Sequence, residues 1–201
     1  MLYNSLTKIV VTFLFFANAL LAIEFPALHQ RLREMYQEDQ DSCWRWIEAE
    51  EALKQQYAIE MENVRKRHNP ELREIIKNYS WPGFDKVGAD GSEAAWLLIQ
   101  HQDEDLALQK ECLMLLKNAV DAGQADAKHF AYLLDRTNMN SAVAQIYGTQ
   151  WVGEKGNIAL YPIEDIATVD ERRKEIGLPS LAEYKERIKV TYHLSDEDFQ
   201  K

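Results

Sequence analysis

Residues 93–101 read EAAWLLIQH, and the positions from 94 to 99 all carry apolar side chains. An apolar run of this length, with neither glycine nor proline inside it, is typical of a helix that is buried on most sides. Such a helix needs other elements packed around it. The stretch therefore predicts a central helix in a fold that is built mainly from helices.

The sequence on both sides of this stretch is also typical of helices. Residues 27–68 contain neither glycine nor proline, and apolar side chains recur there at helical spacing. Asn69 and Pro70 are expected to end this helix and begin the next, because proline is favoured at the first helical position. After a glycine-rich loop at 83–92, we expect helices at residues 93–101, 104–122, 125–135, 169–176 and 181–192, with Asp103 as a candidate N-cap.

Residues 147–162 have a different character. Two short runs rich in aromatic and β-branched residues flank the segment Gly153-Glu154-Lys155-Gly156-Asn157, which predicts a β-hairpin that needs helices to pack against. Taken together, these patterns predict a mainly α fold. It is a single compact helical domain of about seven helices with a short β-hairpin near residues 147–162.

The first 22 residues have the pattern of a secretory signal peptide. Lys8 precedes an apolar run that ends in small residues, and this run is short for a membrane span, which needs about 20 apolar residues. Cleavage is expected after Ala22 or Ala19, and an uncleaved N-terminal anchor is the alternative. We therefore divide the chain into a signal peptide (1–22), a helical domain (23–194) and a frayed tail (195–201). The mature protein is expected to be periplasmic or secreted, with no stable membrane span.

Composition and charge exclude several classes of protein. The chain has 201 residues and a formal net charge of −10, so an acidic surface argues against nucleic-acid binding. Two cysteines are too few for a disulfide scaffold or a cysteine-based zinc site. In an oxidising compartment Cys43 and Cys112 could pair, and two separately buried thiols are the alternative.

Polar residues at helix junctions are the candidates for chemistry. His101 follows the apolar run, and a helix C-terminus favours an imidazolium at that place. Asp103 could orient His101 or simply cap the next helix. Asp39 lies in the polar middle of the first long helix, where it could face a cleft or belong to a solvated face. Since a metal site needs at least three ligands, the His101–Asp103 pair does not by itself predict one.

A second group of candidates lies further along the chain. Asp135 and Arg136 could form a structural pair, or Arg136 could hold an anionic ligand through its planar fork. Tyr147 and Gln150 could position polar groups of a ligand from the start of the hairpin. Trp96 is expected to lie in the core or to form a wall of the pocket.

Several motifs of the chain resemble those of a family of uncharacterised bacterial proteins that is known only as a domain of unknown function. They are Asp39-Gln40, Trp81-Pro82-Gly83, Ala94-Ala95-Trp96-Leu97-Leu98-Ile99-Gln100-His101-Gln102-Asp103, Asp135-Arg136 and Tyr147-Gly148-Thr149-Gln150. The resemblance covers most of residues 28–190 and implies a mostly helical domain. It favours a pocket shared by the recurring polar residues Asp39, Gln40, Gln100, His101, Asp103, Asp135, Arg136, Tyr147 and Gln150. One departure is Arg65-Lys66-Arg67-His68, which occupies a segment where the family often carries an aspartate and an asparagine.

Three functions remain open at this point. The first is an exported helical domain whose polar pocket around His101 binds a small polar ligand or a peptide. The second is a periplasmic hydrolase or transferase in which His101, oriented by Asp39 or Asp103, is the general acid or base. The third is a structural or inhibitory partner protein in which the polar residues only stabilise the fold. The sequence indicates no particular cofactor and no oligomeric state.

Overall fold

The computed structural model describes residues 23–200, so the predicted signal peptide at 1–22 lies outside the described residues. The described part contains seven α-helices and one two-stranded antiparallel sheet, which confirms the predicted mainly α fold with its hairpin. The helices are α1 (Pro26–Glu48), α2 (Glu51–Tyr79), α3 (Phe84–Gln100), α4 (Leu106–Asp121), α5 (Ala127–Asn140), α6 (Val169–Glu175) and α7 (Leu181–Thr191). The strands are β1 (Trp151–Val152) and β2 (Ala159–Leu160).

Helix α3 is the central element that the apolar run predicted. It packs along α1 and also contacts α4 and α5. Its side chains Ala94, Ala95, Leu98 and Ile99 are at most 2% exposed. Full burial of a leucine or isoleucine side chain stabilises a fold by about 1.5–3 kcal/mol, so this helix is a main source of the core's stability.

Helices α1 and α2 form an antiparallel hairpin, and its turn is not at the predicted place. The expected break at Asn69-Pro70 is wrong, because α2 runs through Pro70 without ending. The chain turns at Ala49 and Glu50, which have extended backbone conformations, and Lys54 donates to the carbonyls at the end of α1. Buried side chains of α2 lie on both sides of Pro70. Their packing against the core therefore outweighs the loss of the one backbone hydrogen bond that proline cannot donate.

Two further helix boundaries differ from the prediction. The glycine-rich segment expected to be a loop is already helical from Phe84, with a kink at Gly88, where φ is +73°. Asp105 rather than Asp103 caps α4, since its side chain accepts the N–H of Leu108. Asp103 is therefore available for a different partner.

Helix α5 is longer than the predicted segment 125–135 and continues to Asn140. Asp135 and Arg136 consequently lie inside the helix rather than at its end. Successive residues of a helix point about 100° apart, so these two side chains reach different neighbours. They do not form the pair with each other that the sequence suggested as one alternative.

The C-terminal part packs the hairpin onto the helical body. Ser180 and Glu183 form a capping box at the start of α7. Phe199 is 6% exposed, and its ring meets the ring of Trp151 edge-on at a centroid distance of 5.3 Å. Residues 195–200 are thus anchored, which differs from the expected frayed tail. Short 3-10 helices lie at Ile166–Thr168 and Asp196–Asp198. Within residues 23–200, no helix is both long and apolar enough to cross a membrane.

Candidate functional site

His101 and Asp39 form the centre of the candidate site. His101 ends α3, and its Nδ1 lies 2.8 Å from Oδ2 of Asp39, which is only 1% exposed in the middle of α1. Because Asp39 is ionised, Nδ1 of His101 carries a hydrogen atom and donates a hydrogen bond to the carboxylate. The contact fixes the ring, whose side chain is 18% exposed and lines an open cleft.

The carboxylate of Asp39 is held by several donors besides His101. Arg65 Nε lies 3.4 Å from Oδ1, and Gln40 Nε2 donates to Oδ2 at 3.0 Å. Burial raises the pKa of Asp39, but the hydrogen bond and charge of His101 together with Arg65 outweigh burial and lower its pKa. Arg65 thus contacts the centre of the site.

Cys43 is a component of the site that the sequence did not single out. It lies one helical turn after Asp39, and its Sγ is 3.8 Å from Asp39 Oδ2, 3.7 Å from Met61 Sδ and 3.4 Å from Arg65 Nη2. Burial raises the pKa of the Cys43 thiol. Both cysteines are free, and Cys112 lies in the core. Cys43 and Cys112 therefore do not pair. The spacing of four residues between Asp39 and Cys43 was the signal that could have revealed it.

Three of these side chains could also hold a metal ion. Single donor atoms of Asp39, Cys43 and His101 all lie within 4.8 Å of one another. This set was invisible in the sequence, because His101 is 58 positions after Cys43 and only the packing of α3 on α1 brings them together.

A cleft of about 520 Å³ opens in front of His101. It lies between α2 and the turn that follows α3. Its lining residues are Ala58, Met61, Glu62, Arg65, Lys66, Asn69, Pro70, His101, Gln102, Asp103, Glu104 and Asp105. The two basic side chains, Arg65 and Lys66, are on the α2 wall together with Glu62, and three acidic side chains are consecutive on the opposite wall.

Asp103 lines the same cleft, but its carboxylate is fully engaged by protein donors. Arg136 Nε donates to Oδ1 at 2.7 Å and Nη2 donates to Oδ2, while Asn140 Nδ2 donates to Oδ1 at 2.9 Å. Burial raises the pKa of Asp103, but these donors outweigh it and the pKa is lowered. Asp39, rather than Asp103, is the carboxylate that orients His101.

Arg136 links this wall of the cleft to the start of the hairpin. Its third nitrogen, Nη1, donates to Gln150 Oε1 at 3.1 Å. All three side-chain nitrogens therefore have protein acceptors, two on Asp103 and one on Gln150. The arrangement makes Arg136 a connector and leaves no free fork for an anionic ligand.

Asp135, one residue earlier, is the anchor of the loop at 145–150. It is fully buried, and its carboxylate accepts the backbone N–H groups of Ile146, Tyr147 and Thr149. Tyr147 thus contributes its backbone here, and its carbonyl accepts a hydrogen bond from Arg173. Gln145, which was not among the predicted site residues, donates its side-chain N–H groups to the carbonyls of Gln150 and Tyr161 in the same loop.

Two other predicted site residues lie away from the cleft. Gln100 is 6% exposed, and its Oε1 is buried without a hydrogen-bond partner among the described residues. Trp96 stacks on His129 with a centroid distance of 4.1 Å.

The structure thus brings Asp39, Gln40, His101 and Asp103 together, with Arg136 and Gln150 behind Asp103. Asp135, Tyr147, Gln100 and Trp96 do not line the cleft.

Comparisons with known proteins give one match. The profile of a family of unknown function (DUF6624) matches residues 26–196, which include every residue of the site described above. No curated protein and no solved structure matches the chain.

Proposed function

The chain belongs to the DUF6624 family, and because the function of that family is unknown, we propose one from the site itself: the cleft beside His101 binds a small zwitterionic molecule, an amino acid or a short peptide. The observation that carries the proposal is the 2.8 Å hydrogen bond from His101 to the buried Asp39. It holds an imidazole at the wall of a cleft with Nε2 left to meet a polar group.

The charges of the cleft support a zwitterion rather than a simple anion. Arg65 and Lys66 lie on the α2 wall, where Arg65 also contacts Asp39 and Lys66 pairs with Glu62. Across the cleft, Asp103 and Asp105 are engaged by Arg136 and Arg73, which leaves Glu104 without an arginine partner among the described residues. A ligand carboxylate would face the basic wall and a ligand ammonium would face Glu104.

Lys66 and Glu104 are close enough for their charges to interact. The hydrogen bond from Lys66 to Glu62 raises the pKa of Lys66, and the charge of Glu104 raises it further. Opposite charges on two walls of a cleft of about 520 Å³ match the two ends of an amino acid or a dipeptide.

The test is binding of glycylglycine and a set of single L-amino acids, measured by calorimetry and by NMR of the His101 ring. We expect at least one probe to bind and to shift the His101 ring signals. Its affinity should fall about tenfold or more in Glu104→Gln and in His101→Gln. His29→Gln is the matched control, since His29 pairs with Asp90 outside the cleft and should leave binding unchanged.

The outcome that would contradict the proposal is a set of probes that all fail to bind, or that bind equally to wild type and His101→Gln. Cleavage of the dipeptide during the measurement would point instead to a hydrolase at the same site. His101→Gln would then abolish turnover as well as binding.

We also propose that the protein works outside the cytoplasm, and the pattern of residues 1–22 supports this. N-terminal sequencing of protein purified from producing cells tests it. We expect a mature chain that begins at Ile23 or Leu20. An intact Met1 on all of the protein would contradict export by cleavage.

A further inference from the structure

Near the His101 wall of the cleft, side-chain atoms that can bind a metal ion lie close together. We propose that Cys43, Asp39 and His101 bind one thiophilic metal ion with a filled d shell, either Zn²⁺ or Cu(I). Met61 supplies a fourth donor through its thioether. The site goes beyond the proposed ligand binding, because two of its donors, Asp39 and Cys43, do not line the cleft and metal binding does not need the zwitterion.

Two of the separations between donors fit a tetrahedral ion. Metal–ligand bonds of about 2.0–2.3 Å place neighbouring donors about 3.3–3.8 Å apart. Cys43 Sγ lies 3.8 Å from Asp39 Oδ2 and 3.7 Å from Met61 Sδ, so two of these separations already match. The Asp39–His101 separation of 2.8 Å is shorter, because a proton is shared there, and it must widen when an ion replaces that proton.

The chemistry of the donors selects the class of metal. A thiolate, a thioether and an imidazole are the ligands that Zn²⁺ and Cu(I) prefer. Mg²⁺ and Ca²⁺ require oxygen ligands, of which this site supplies only those of Asp39. An ion of that kind is therefore not expected here.

Arg65 already places a positive charge beside two of the proposed metal ligands. Its guanidinium lies 3.4 Å from both Asp39 Oδ1 and Cys43 Sγ. The same side chain lines the cleft and is 21% exposed, so it has room to swing outward when an ion enters. Arg65 is thus the competitor that a metal must displace, and its removal should strengthen binding.

Metal binding needs no oxidant or reductant. The Cys43 S–H bond breaks, the sulfur binds the ion and the proton leaves to solvent. On His101 the proton moves from Nδ1 to Nε2, so that Nδ1 becomes the ligand atom. The oxidation state of the metal does not change.

The experiment uses the purified full-length protein in reduced form and three probes, Co²⁺ as a spectroscopic substitute for Zn²⁺, Zn²⁺ itself and Cu(I). We expect one equivalent of Co²⁺ to give a thiolate-to-cobalt charge-transfer band that Zn²⁺ removes. Cys43→Ser should lose the band and weaken Zn²⁺ binding by about 100-fold or more. Cys112→Ser is the matched control, because that thiol is fully buried in the core and should leave the band intact.

Two further variants separate the metals and test the role of Arg65. Arg65→Met should increase Zn²⁺ affinity by about tenfold, since it removes the competing positive charge. Met61→Leu keeps the side-chain volume and should weaken Cu(I) more than Zn²⁺ if Cu(I) is the natural occupant. Equal effects on both metals would assign the site to Zn²⁺.

The inference is overturned if the wild-type protein gives no cobalt band, or if the band persists in Cys43→Ser and vanishes in Cys112→Ser. Circular dichroism of each variant establishes that it is folded before metal is added. Glu104→Gln affects the proposed zwitterion site and should not change metal affinity. A failure of either proposal is therefore recognisable without the other.

Discussion

Asp135 Oδ2 accepts both the backbone N–H of Thr149, at 3.0 Å, and the hydroxyl of the same residue, at 2.9 Å. Oδ1 accepts the N–H groups of Ile146 and Tyr147, at 2.7 and 3.1 Å. One carboxylate on α5 therefore fixes the loop that carries Gln150. Since Gln150 accepts from Arg136, the loop also holds one wall of the cleft.

Asp135→Asn is expected to destabilise the protein by about 2–4 kcal/mol. An amide offers one acceptor oxygen in place of two, so in either orientation its NH₂ group faces at least one buried backbone N–H, which loses its partner. Thermal unfolding should show a melting temperature lowered by several degrees.

Asp126→Asn is the matched control for this change. Asp126 caps α5, and asparagine is an equally good N-cap, so stability should stay within about 0.5 kcal/mol of wild type. If Asp135→Asn has the same melting temperature as this control, the loop does not depend on the carboxylate.

Arg136→Lys is expected to loosen the connection between the cleft and residues 145–150. A lysine ammonium cannot reproduce the two-nitrogen contact with Asp103 and also reach Gln150. Because the pair is partly exposed, the loss of stability should be modest, about 1–2 kcal/mol. Hydrogen exchange should become faster in the loop than in α3.

Arg73→Lys provides the comparison, since Arg73 contacts Asp105 on the same turn and is itself half exposed. We expect it to change neither stability nor loop exchange measurably. Equal effects of the two substitutions would show that Arg136 has no special role as a connector.

The central helix was predictable from the sequence because its burial follows from composition alone. Six apolar side chains in a row favour burial on most faces of a helix, and α3 accordingly packs against α1, α4 and α5. The passage of α2 through Pro70 was not predictable, since local preference favours a break there. Only the burial of neighbouring α2 side chains against the core decides the outcome.

The site was predictable in part for the same reason. Asp39 and His101 were both candidates because of their places in the predicted helices, and the structure joins them. The contact of Arg65 with Asp39 could not be predicted, because it depends on the register of α1 against α2. The choice between Asp103 and Asp105 as N-cap likewise depends on Arg136, which is distant in sequence.

Stability should fall between pH 7 and pH 5 because of His129. Burial against Trp96 lowers the pKa of His129 to about 4, whereas an unfolded chain has a histidine pKa near 6.5. Between these values the unfolded state binds the proton and the folded state does not, so stability present at neutral pH is lost as the pH falls. The expected loss from this group is about 2 kcal/mol at pH 5.

His129→Phe checks this assignment, since it preserves an aromatic ring on Trp96 and cannot be protonated. Urea unfolding at several pH values should show a smaller loss of stability between pH 7 and pH 5 than in wild type. A variant that keeps the full wild-type pH dependence would assign the effect to other groups.

Gly153→Ala should disrupt the hairpin, whereas Gly156→Ala should not. Both glycines have positive φ, +105° and +88°, so each alanine carries a conformational penalty of about 1 kcal/mol. A Cβ at Gly153 would lie 2.3 Å from the backbone carbonyl oxygen of Asn157, while a Cβ at Gly156 meets nothing within 4 Å. Backbone cannot rotate away as a side chain does, so the strand pairing must open.

The readout is hydrogen exchange of the hairpin together with the fluorescence of Trp151, which packs on Phe199. Gly153→Ala should accelerate exchange at residues 151–160 and release the C-terminal segment, because Ile158 bridges to Phe199. The helical core should keep its protection in both variants, since the hairpin lies outside the α1–α3 packing. Equal exchange in the two variants would show that positive φ, and not the close approach to Asn157, limits the hairpin.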